Sequence, residues 1–314
     1  MCYTGTGLVK PARLEKGDTL GLIAPSGVIR DMDALDEAVA FLEGMGYRVK
    51  TGESCLSRYG YLSGSDDVRA RDVNRMFADA EVKAVICLKG GYGTPRILDR
   101  LDYDAISRHP KLFSGYSDIT AMHLALFAKC GLCTLHAPMP AYGVDGESLK
   151  SIAECLSGAT VGKPLVNIDG SLPVCVNPGE VEAPLIGGNL SLIATVAGSE
   201  YMPDVSGRLL FIEDVSEYTY AIDRMLTRLR LLGVFEKCAG VIFGSFEKCE
   251  SEYPDRALGI DQIIADVVAG CKKPIISSLR AGHCRPSLCL GLGIRYHLDA
   301  TRGELTPLES LFHD

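Results

Sequence analysis

The sequence predicts an α/β protein of two domains, the first built on an open, mostly parallel sheet with helices on its faces. Three observations lead there. Short apolar runs of strand length alternate with longer runs of helical periodicity through the first half of the chain. A stretch dense in glycine and proline then interrupts the pattern, and a second alternating series follows. The chain has 314 residues, 47% hydrophobic and 23% charged, which suits a globular protein of two medium domains.

Taken in order, Thr19-Leu-Gly-Leu-Ile-Ala24 is a buried strand closed by the loop Pro25-Ser-Gly27. Ala34 to Met45 is helix-periodic and stops at Gly46. Tyr47 to Thr51 is a second strand. Asp66 caps a second helix reaching Ala80, with Val68, Val73, Met76 and Phe77 on its apolar face. Ala84-Val-Ile-Cys-Leu88 is a third strand, and Lys89-Gly-Gly-Tyr-Gly93 follows it as a loop. Pro95 to Leu101 forms a short helix. Leu112 and Phe113 lie in the next strand, Ile119 to Lys129 form a helix, and Cys133 to His136 form another strand.

From residue 141 to 182 only Ser151 to Leu156 reads as helical, among seven glycine and proline breaks from Gly158 to Gly179. This places a first domain at 1–145, a linker at 146–182 and a second domain at 183–314. In the second domain, Pro184 to Leu190 leads into a helix from Ser191 to Ala197. Arg208-Leu-Leu-Phe-Ile-Glu-Asp214 is an apolar strand ending in two carboxylates. Tyr220 to Leu232 is an amphipathic helix. Ala239 to Phe243 and Pro274 to Ser277 are strands around a helix from Asp261 to Ala269. Ala281 to Pro286 is a loop carrying His283, and the tail forms an antiparallel hairpin from Tyr296–Asp299 and Glu304–Leu308.

The formal charge of -8 lacks the basic stripe of a nucleic-acid binder. Met1-Cys-Tyr-Thr-Gly-Thr-Gly7 has neither the basic nor the apolar segment of a leader, and no apolar run reaches the roughly 18 residues of a membrane span. The twelve cysteines are scattered without paired ligand spacing. Buried thiols in a reducing cytoplasm account for them, and no metal or other cofactor is expected.

The chemistry concentrates at Leu112-Phe-Ser-Gly-Tyr-Ser-Asp-Ile-Thr120. It puts Ser117 at the tip of a parallel strand just before a helix, where backbone N–H groups and the positive end of the dipole gather. A nucleophilic serine needs those donors for the oxyanion it creates. The segment is not the G-x-S-x-G elbow, because Ile119 stands where the second glycine would be, and the same position also suits a plain N-cap serine. The Gly90–Gly93 loop falls at a neighbouring carboxyl end, where ligands of such sheets bind. It lacks the spacing of a P-loop or a dinucleotide fingerprint. Of six histidines, only His136 and His283 stand at strand ends beside turn residues. Either they or Glu213 could equally be structural.

Six separate blocks resemble the LD-carboxypeptidase family, the serine peptidases grouped with the microcin C self-immunity protein. They are Gly21-Leu-Ile-Ala-Pro-Ser26, Lys89-Gly-Gly-Tyr-Gly93, Gly115-Tyr-Ser-Asp118, Leu185-Ile-Gly-Gly-Asn-Leu190, Phe211-Ile-Glu-Asp-Val215 with Tyr220 and Asp223, and Gly282-His283. The resemblance runs from Gly17 to about Pro307. It implies a flavodoxin-like first domain, a second domain with a mixed, barrel-like sheet, and a site in the cleft between them. It implies Ser117 as nucleophile, Glu213 as the orienting carboxylate and His283 as base, with the backbone N–H groups of Gly91 and Asp118 as oxyanion donors. A side chain at Gly91 would then crowd the tetrahedral intermediate. The activity implied is removal of the terminal D-alanine from muropeptide tetrapeptides during peptidoglycan recycling, in the cytoplasm, by a homodimer.

Lys89 departs from the family's usual arginine, keeping the charge without the bidentate fork. Lys89, Tyr92 and Asn189 are expected in the substrate pocket, and His136 is expected as a structural or supporting residue. An immunity-type hydrolase acting on aminoacyl-sulfamoyl adenylates would use the same triad. Its adenine calls for an aromatic wall, and the chain has no tryptophan. A non-enzymatic binding protein of similar shape would have no need of the three triad residues.

Overall fold

The computed structural model describes residues 8–251 and 253–313. The stretch Met1 to Gly7, read above for a leader, lies outside the described residues. No helix among the described residues is long and apolar enough to cross a membrane.

The first half of the chain alternates as expected. Strands β1 (Thr19–Ile23), β2 (Arg48–Thr51), β3 (Val82–Cys87), β4 (Leu112–Gly115) and β5 (Thr134–His136) interleave with helices α1 (Asp33–Gly44), α2 (Asp66–Ala78), α3 (Tyr103–Arg108) and α4 (Thr120–Cys130). The segment expected as a helix at Pro95 to Leu101 is a 3₁₀ helix over Thr94–Arg100. Helix α2 is capped by Ser65, whose hydroxyl accepts from the Val68 N–H, and not by Asp66. Asp66 forms ion pairs with arginines instead.

The second half contains α5 (Gly146–Ser157), β6 (Val174–Asn177), β7 (Glu180–Asn189), α6 (Leu190–Val196), β8 (Leu209–Val215), α7 (Thr219–Leu231), α8 (Val234–Lys237), β9 (Gly240–Glu247), α9 (Ile260–Val267), β10 (Ile275–Ser277), β11 (Leu290–Leu292), β12 (Arg295–Asp299) and β13 (Glu304–Pro307).

Two sheets organise these elements. The first has the order β11-β5-β4-β3-β1-β2, parallel from β5 to β2. The second has the order β13-β12-β7-β8-β9-β10-β6 and forms a mixed, curled half-barrel. Strands β7 to β10 are its parallel centre, and the expected hairpin β12–β13 closes one edge. Strand β4 is buried along its length because helices cover both of its faces. Strand β8 is buried up to Asp214 because Leu210 and Ile212 pack with helix residues such as Ile222 and Leu226, while Leu209 and Phe211 pack with strand residues such as Ile276 and Leu298. Phe113 of β4 stacks on Phe77 of α2 with ring centroids 6.3 Å apart.

Two features cross the expected boundary. Within the expected linker, α5 is a full helix and β6 pairs antiparallel with β10 as an edge strand of the second sheet. Strand β11, from the expected second domain, pairs antiparallel with β5 and closes the first sheet. The chain thus passes back to the first sheet after the His283 loop. The hydroxyls of Ser148 and Ser151 on α5 accept from the backbone N–H groups of Ser287 and Cys289, which pins that return segment.

Candidate active site

The carboxyl ends of β3, β4 and β5 in one sheet and of β7, β8 and β10 in the other bring the candidate residues together. After β4 the chain passes through Tyr116 in extended conformation, with φ −154° and ψ −170°. It then turns sharply at Ser117, whose φ is +64°. A non-glycine residue there is strained, and such strain persists only where the surroundings enforce it. The expected alternative of an N-cap serine does not hold. The residues flanking the starts of the 3₁₀ turn and of α4 are Tyr116 and Ile119, and neither start has a side-chain cap.

Asp118 is buried and acts as a tie. Its carboxylate accepts from Ser26 Oγ at 2.6 Å, from Thr94 N at 2.9 Å and from Gly93 N at 3.3 Å. One side chain therefore joins the serine turn to the loops after β1 and β3. Gly27 N donates to Gly90 O at 3.3 Å, so those two loops also bind each other directly. The buried Arg69 guanidinium completes the lacing, donating to Pro25 O at 2.6 Å and Gly93 O at 2.8 Å.

A Cβ at Gly91 would first meet the Gly27 backbone, 3.1 Å from its Cα, whereas at Gly90 it would lie 3.1 Å from Ser117 Oγ. Gly90 is the residue whose missing side chain leaves room at the nucleophile. Gly91, with φ +128°, is required for its backbone conformation.

On the opposite side, Glu213 lies near the carboxyl end of β8 and is fully buried. A register shift against β9 between Ile212 and Asp214 frees it from the regular ladder on that side. Its Oε2 lies 2.7 Å from His283 Nδ1. Burial pushes the Glu213 carboxyl above its ordinary range, while the neighbouring imidazole pulls the other way. A Cβ on Gly282 would lie 2.5 Å from Glu213 Oε2. That close approach lets the His283 loop reach the carboxylate.

Asp214, the second carboxylate of the strand, has a separate task. It accepts from Asn189 Nδ2 at 2.8 Å and from the Ser191 N–H and hydroxyl at 2.9 and 2.8 Å, holding the start of α6. Asn189, expected against the substrate, is buried. Its amide bonds Asp214, and its Oδ1 caps α6 through Leu192 N. Its backbone N–H donates to Thr120 Oγ1 at 2.9 Å, linking β7 to the first turn of α4.

Tyr116 joins the two sides. Its ring centroid is 4.7 Å from that of His283. Beyond Tyr116 stands His136, whose ring meets it edge-on at 5.9 Å and meets Phe211 edge-on at 5.2 Å. His136 is buried, and neither ring nitrogen meets a hydrogen-bond partner among the described residues. Burial, then the neighbouring His123 and His283, hold its pKa well below the usual imidazole value. His123 is a different case, with Nδ1 on Thr134 Oγ1 and Nε2 on Gly115 O, both at 2.9 Å. Burial lowers it to about 4, so it stays neutral and structural.

Lys89 is half-buried at the edge of this site and donates to Val28 O at 3.0 Å. Burial, then the charge of Arg30, lower its pKa. Tyr92 is exposed and packs edge-on against Tyr61 at 5.6 Å. Ser26, Gly90 and Tyr116 were not singled out from the sequence as members of this site. All three lie inside or beside blocks that were, and turn residues at strand carboxyl ends were the available signal.

Two family models match this chain, the LD-carboxypeptidase N-terminal domain over residues 20–137 and the LD-carboxypeptidase C-terminal domain over residues 182–298. The chain is 38% identical to a Bacillus subtilis protein named "Probable murein peptide carboxypeptidase", over 91% of this chain and 90% of that protein. It is 29% identical to the Microcin C7 self-immunity protein MccF of Escherichia coli, over 92% of each. Among solved structures, the muramoyltetrapeptide carboxypeptidase from Oxalobacter formigenes matches with a TM-score of 0.80 and 28% identity, over 91% of this chain and 97% of that one.

Proposed function

The chain belongs to the LD-carboxypeptidase family, and from that premise we propose that it is a serine carboxypeptidase releasing the terminal D-alanine of murein-derived tetrapeptides. The observation that carries the reading is the hydrogen bond between the buried Glu213 and the part-buried His283, whose ring lies against Tyr116 beside the strained Ser117 turn. His283 takes the Ser117 proton through Nε2, because Nδ1 is engaged by Glu213. Ser117 Oγ attacks the scissile carbonyl. The N–H groups of Gly91 and Asp118 receive the oxyanion.

The protonated His283 then delivers its proton to the departing D-alanine nitrogen, leaving an acyl-enzyme that water hydrolyses. Glu213 orients the imidazole and stabilises its charged form. Lys89 supplies positive charge toward a substrate carboxylate. The reaction belongs to peptidoglycan recycling in the cytoplasm.

The test follows D-alanine release from a purified muropeptide tetrapeptide by mass spectrometry, with wild type beside Ser117→Ala. Loss of a nucleophile of this kind lowers turnover by roughly 10⁴–10⁶-fold. Equal turnover in both proteins would remove Ser117 from the mechanism. The relation to MccF supports a second reading, hydrolysis of an aminoacyl-sulfamoyl adenylate by the same residues. Turnover of that substrate with none of the muropeptide would favour it.

A further inference from the structure

We propose that Tyr116 is a positioning residue that sets the base against the nucleophile across the two sheets, with His136 as its backstop. The inference rests on the serine-hydrolase reading above. Ser117 comes from the end of β4, whereas Glu213 and His283 come from β8 and the loop after β10. They are far apart in sequence, so only packing holds nucleophile and base together.

Tyr116 is the residue immediately before Ser117, and its ring lies 4.7 Å from His283 at an interplanar angle of 41°. Any shift of His283 toward Tyr116 must therefore displace the backbone that carries the nucleophile. His136 stands behind Tyr116 edge-on, at 5.9 Å and 81°, and meets Phe211 edge-on at 5.2 Å and 81°. Phe211 and Glu213 are two residues apart on β8, and so project from the same face.

The contacts close a circuit from Phe211 through His136, Tyr116 and His283 to Glu213 and back to the same strand. Each ring in it is held by the next. His136 fits this role better than a general acid or base would. It is only 1% exposed, and its nitrogens meet no partner among the described residues that could relay a proton. The circuit fixes the plane of the His283 ring, which the hydrogen bond to Glu213 would by itself leave free to rock.

A small fluorophosphonate reads this geometry without depending on any peptide. Its phosphorus bonds to Ser117 Oγ, fluoride leaves, and the serine proton passes to His283. Wild type, Tyr116→Leu, Tyr116→Phe, His136→Leu and His136→Phe are compared for the second-order rate of this labelling and for thermal midpoint. A misplacement of about 1 Å costs on the order of 100-fold in rate. Tyr116→Leu is expected to lose that factor, and Tyr116→Phe to recover most of it. The His136 pair is expected to repeat the pattern on a smaller scale, and it carries the test if Tyr116→Leu fails to fold.

Labelling of both leucine variants at the wild-type rate would overturn the proposal. So would a Tyr116→Phe variant as slow as Tyr116→Leu, which would assign the effect to the hydroxyl. Wild type that never reacts at Ser117 would overturn the serine-hydrolase reading itself, and the role of Tyr116 with it.

Discussion

Gly90 and Ser117 stand so close that a methyl group on residue 90 would lie 3.1 Å from the serine hydroxyl oxygen and 3.0 Å from its Cβ. The loop after β3 therefore forms one wall of the space in which Ser117 must swing toward its substrate. Gly90→Ala is expected to lower kcat/KM, by less than the roughly 100-fold that a 1 Å misplacement costs, because the added carbon pushes the nucleophile by a few tenths of an ångström. Its melting temperature should stay near that of wild type, since residue 90 needs no left-handed backbone. Steady-state kinetics beside a thermal melt checks this. Wild-type kinetics in Gly90→Ala would show that the wall is not tight.

The φ of +64° at Ser117 is a conformation that glycine adopts freely and serine does not. Ser117→Gly is expected to be inactive and more stable than wild type by about 1 kcal/mol, whereas Ser117→Ala gains nothing from the backbone. Urea unfolding of the three proteins separates the cases. Equal stability of the glycine and alanine variants would mean that the turn stores no strain.

The buried Glu213 carboxyl, with its pKa raised by desolvation, binds its proton more tightly in the folded chain than in the unfolded one. That contribution favours the folded state at low pH, and is lost as pH climbs from about 4.3 through the higher folded value. At neutral pH the carboxylate is thus a cost to folding, offset in part by His283. Glu213→Gln should unfold at the same temperature as wild type or higher, yet lose about 10⁴-fold in kcat, since His283 is no longer held in the right tautomer. A variant that is markedly less stable would show that the pair is a stabilising bridge.

Arg69 and Asp66 have the opposite linkage. The ordered guanidinium hydrogen bonds of Arg96 and Arg69 hold the Asp66 carboxyl below its usual range, although burial opposes this. A depressed carboxyl contributes stability that is complete above the unfolded value, about 3.9, and is lost as pH falls through the folded one. Asp66→Asn leaves the buried Arg69 without its counter-charge, and should cost about 2 kcal/mol at neutral pH. It should also show a flatter stability profile below about pH 4 than wild type. Denaturant titrations at several pH values test both halves. A parallel acid profile in the two proteins would remove Asp66 from the linkage.

Much of this molecule was legible in the chain. The apolar runs at β1, β3 and β8 and the periodic helices α1, α2, α4 and α7 were read close to their observed bounds, because their burial is dictated by local spacing. Strands β6 and β11 were missed. Val174–Asn177 is half-exposed and Leu290–Leu292 is only three residues long, so neither shows a period of its own. Each becomes a strand only because a neighbour offers an unpaired edge, β10 in one case and β5 in the other.

The sequence by itself determined the kind of protein this is. It contained the alternation that builds two α/β layers, the strand-to-helix junction that carries Ser117, and the carboxylates at the end of an apolar strand that include Glu213. What only the tertiary structure decided is which of these meet. His136 and His283 look alike as strand-end histidines on the residues alone, yet His283 is hydrogen-bonded to Glu213 while His136 is sealed behind Tyr116. Likewise only the packing of the loops places the Cβ position of Gly90 against the nucleophile. The physical reason is that local pattern reports which face of an element is buried. The distance between side chains from different sheets depends on strand order, register and the packing of one sheet against the other.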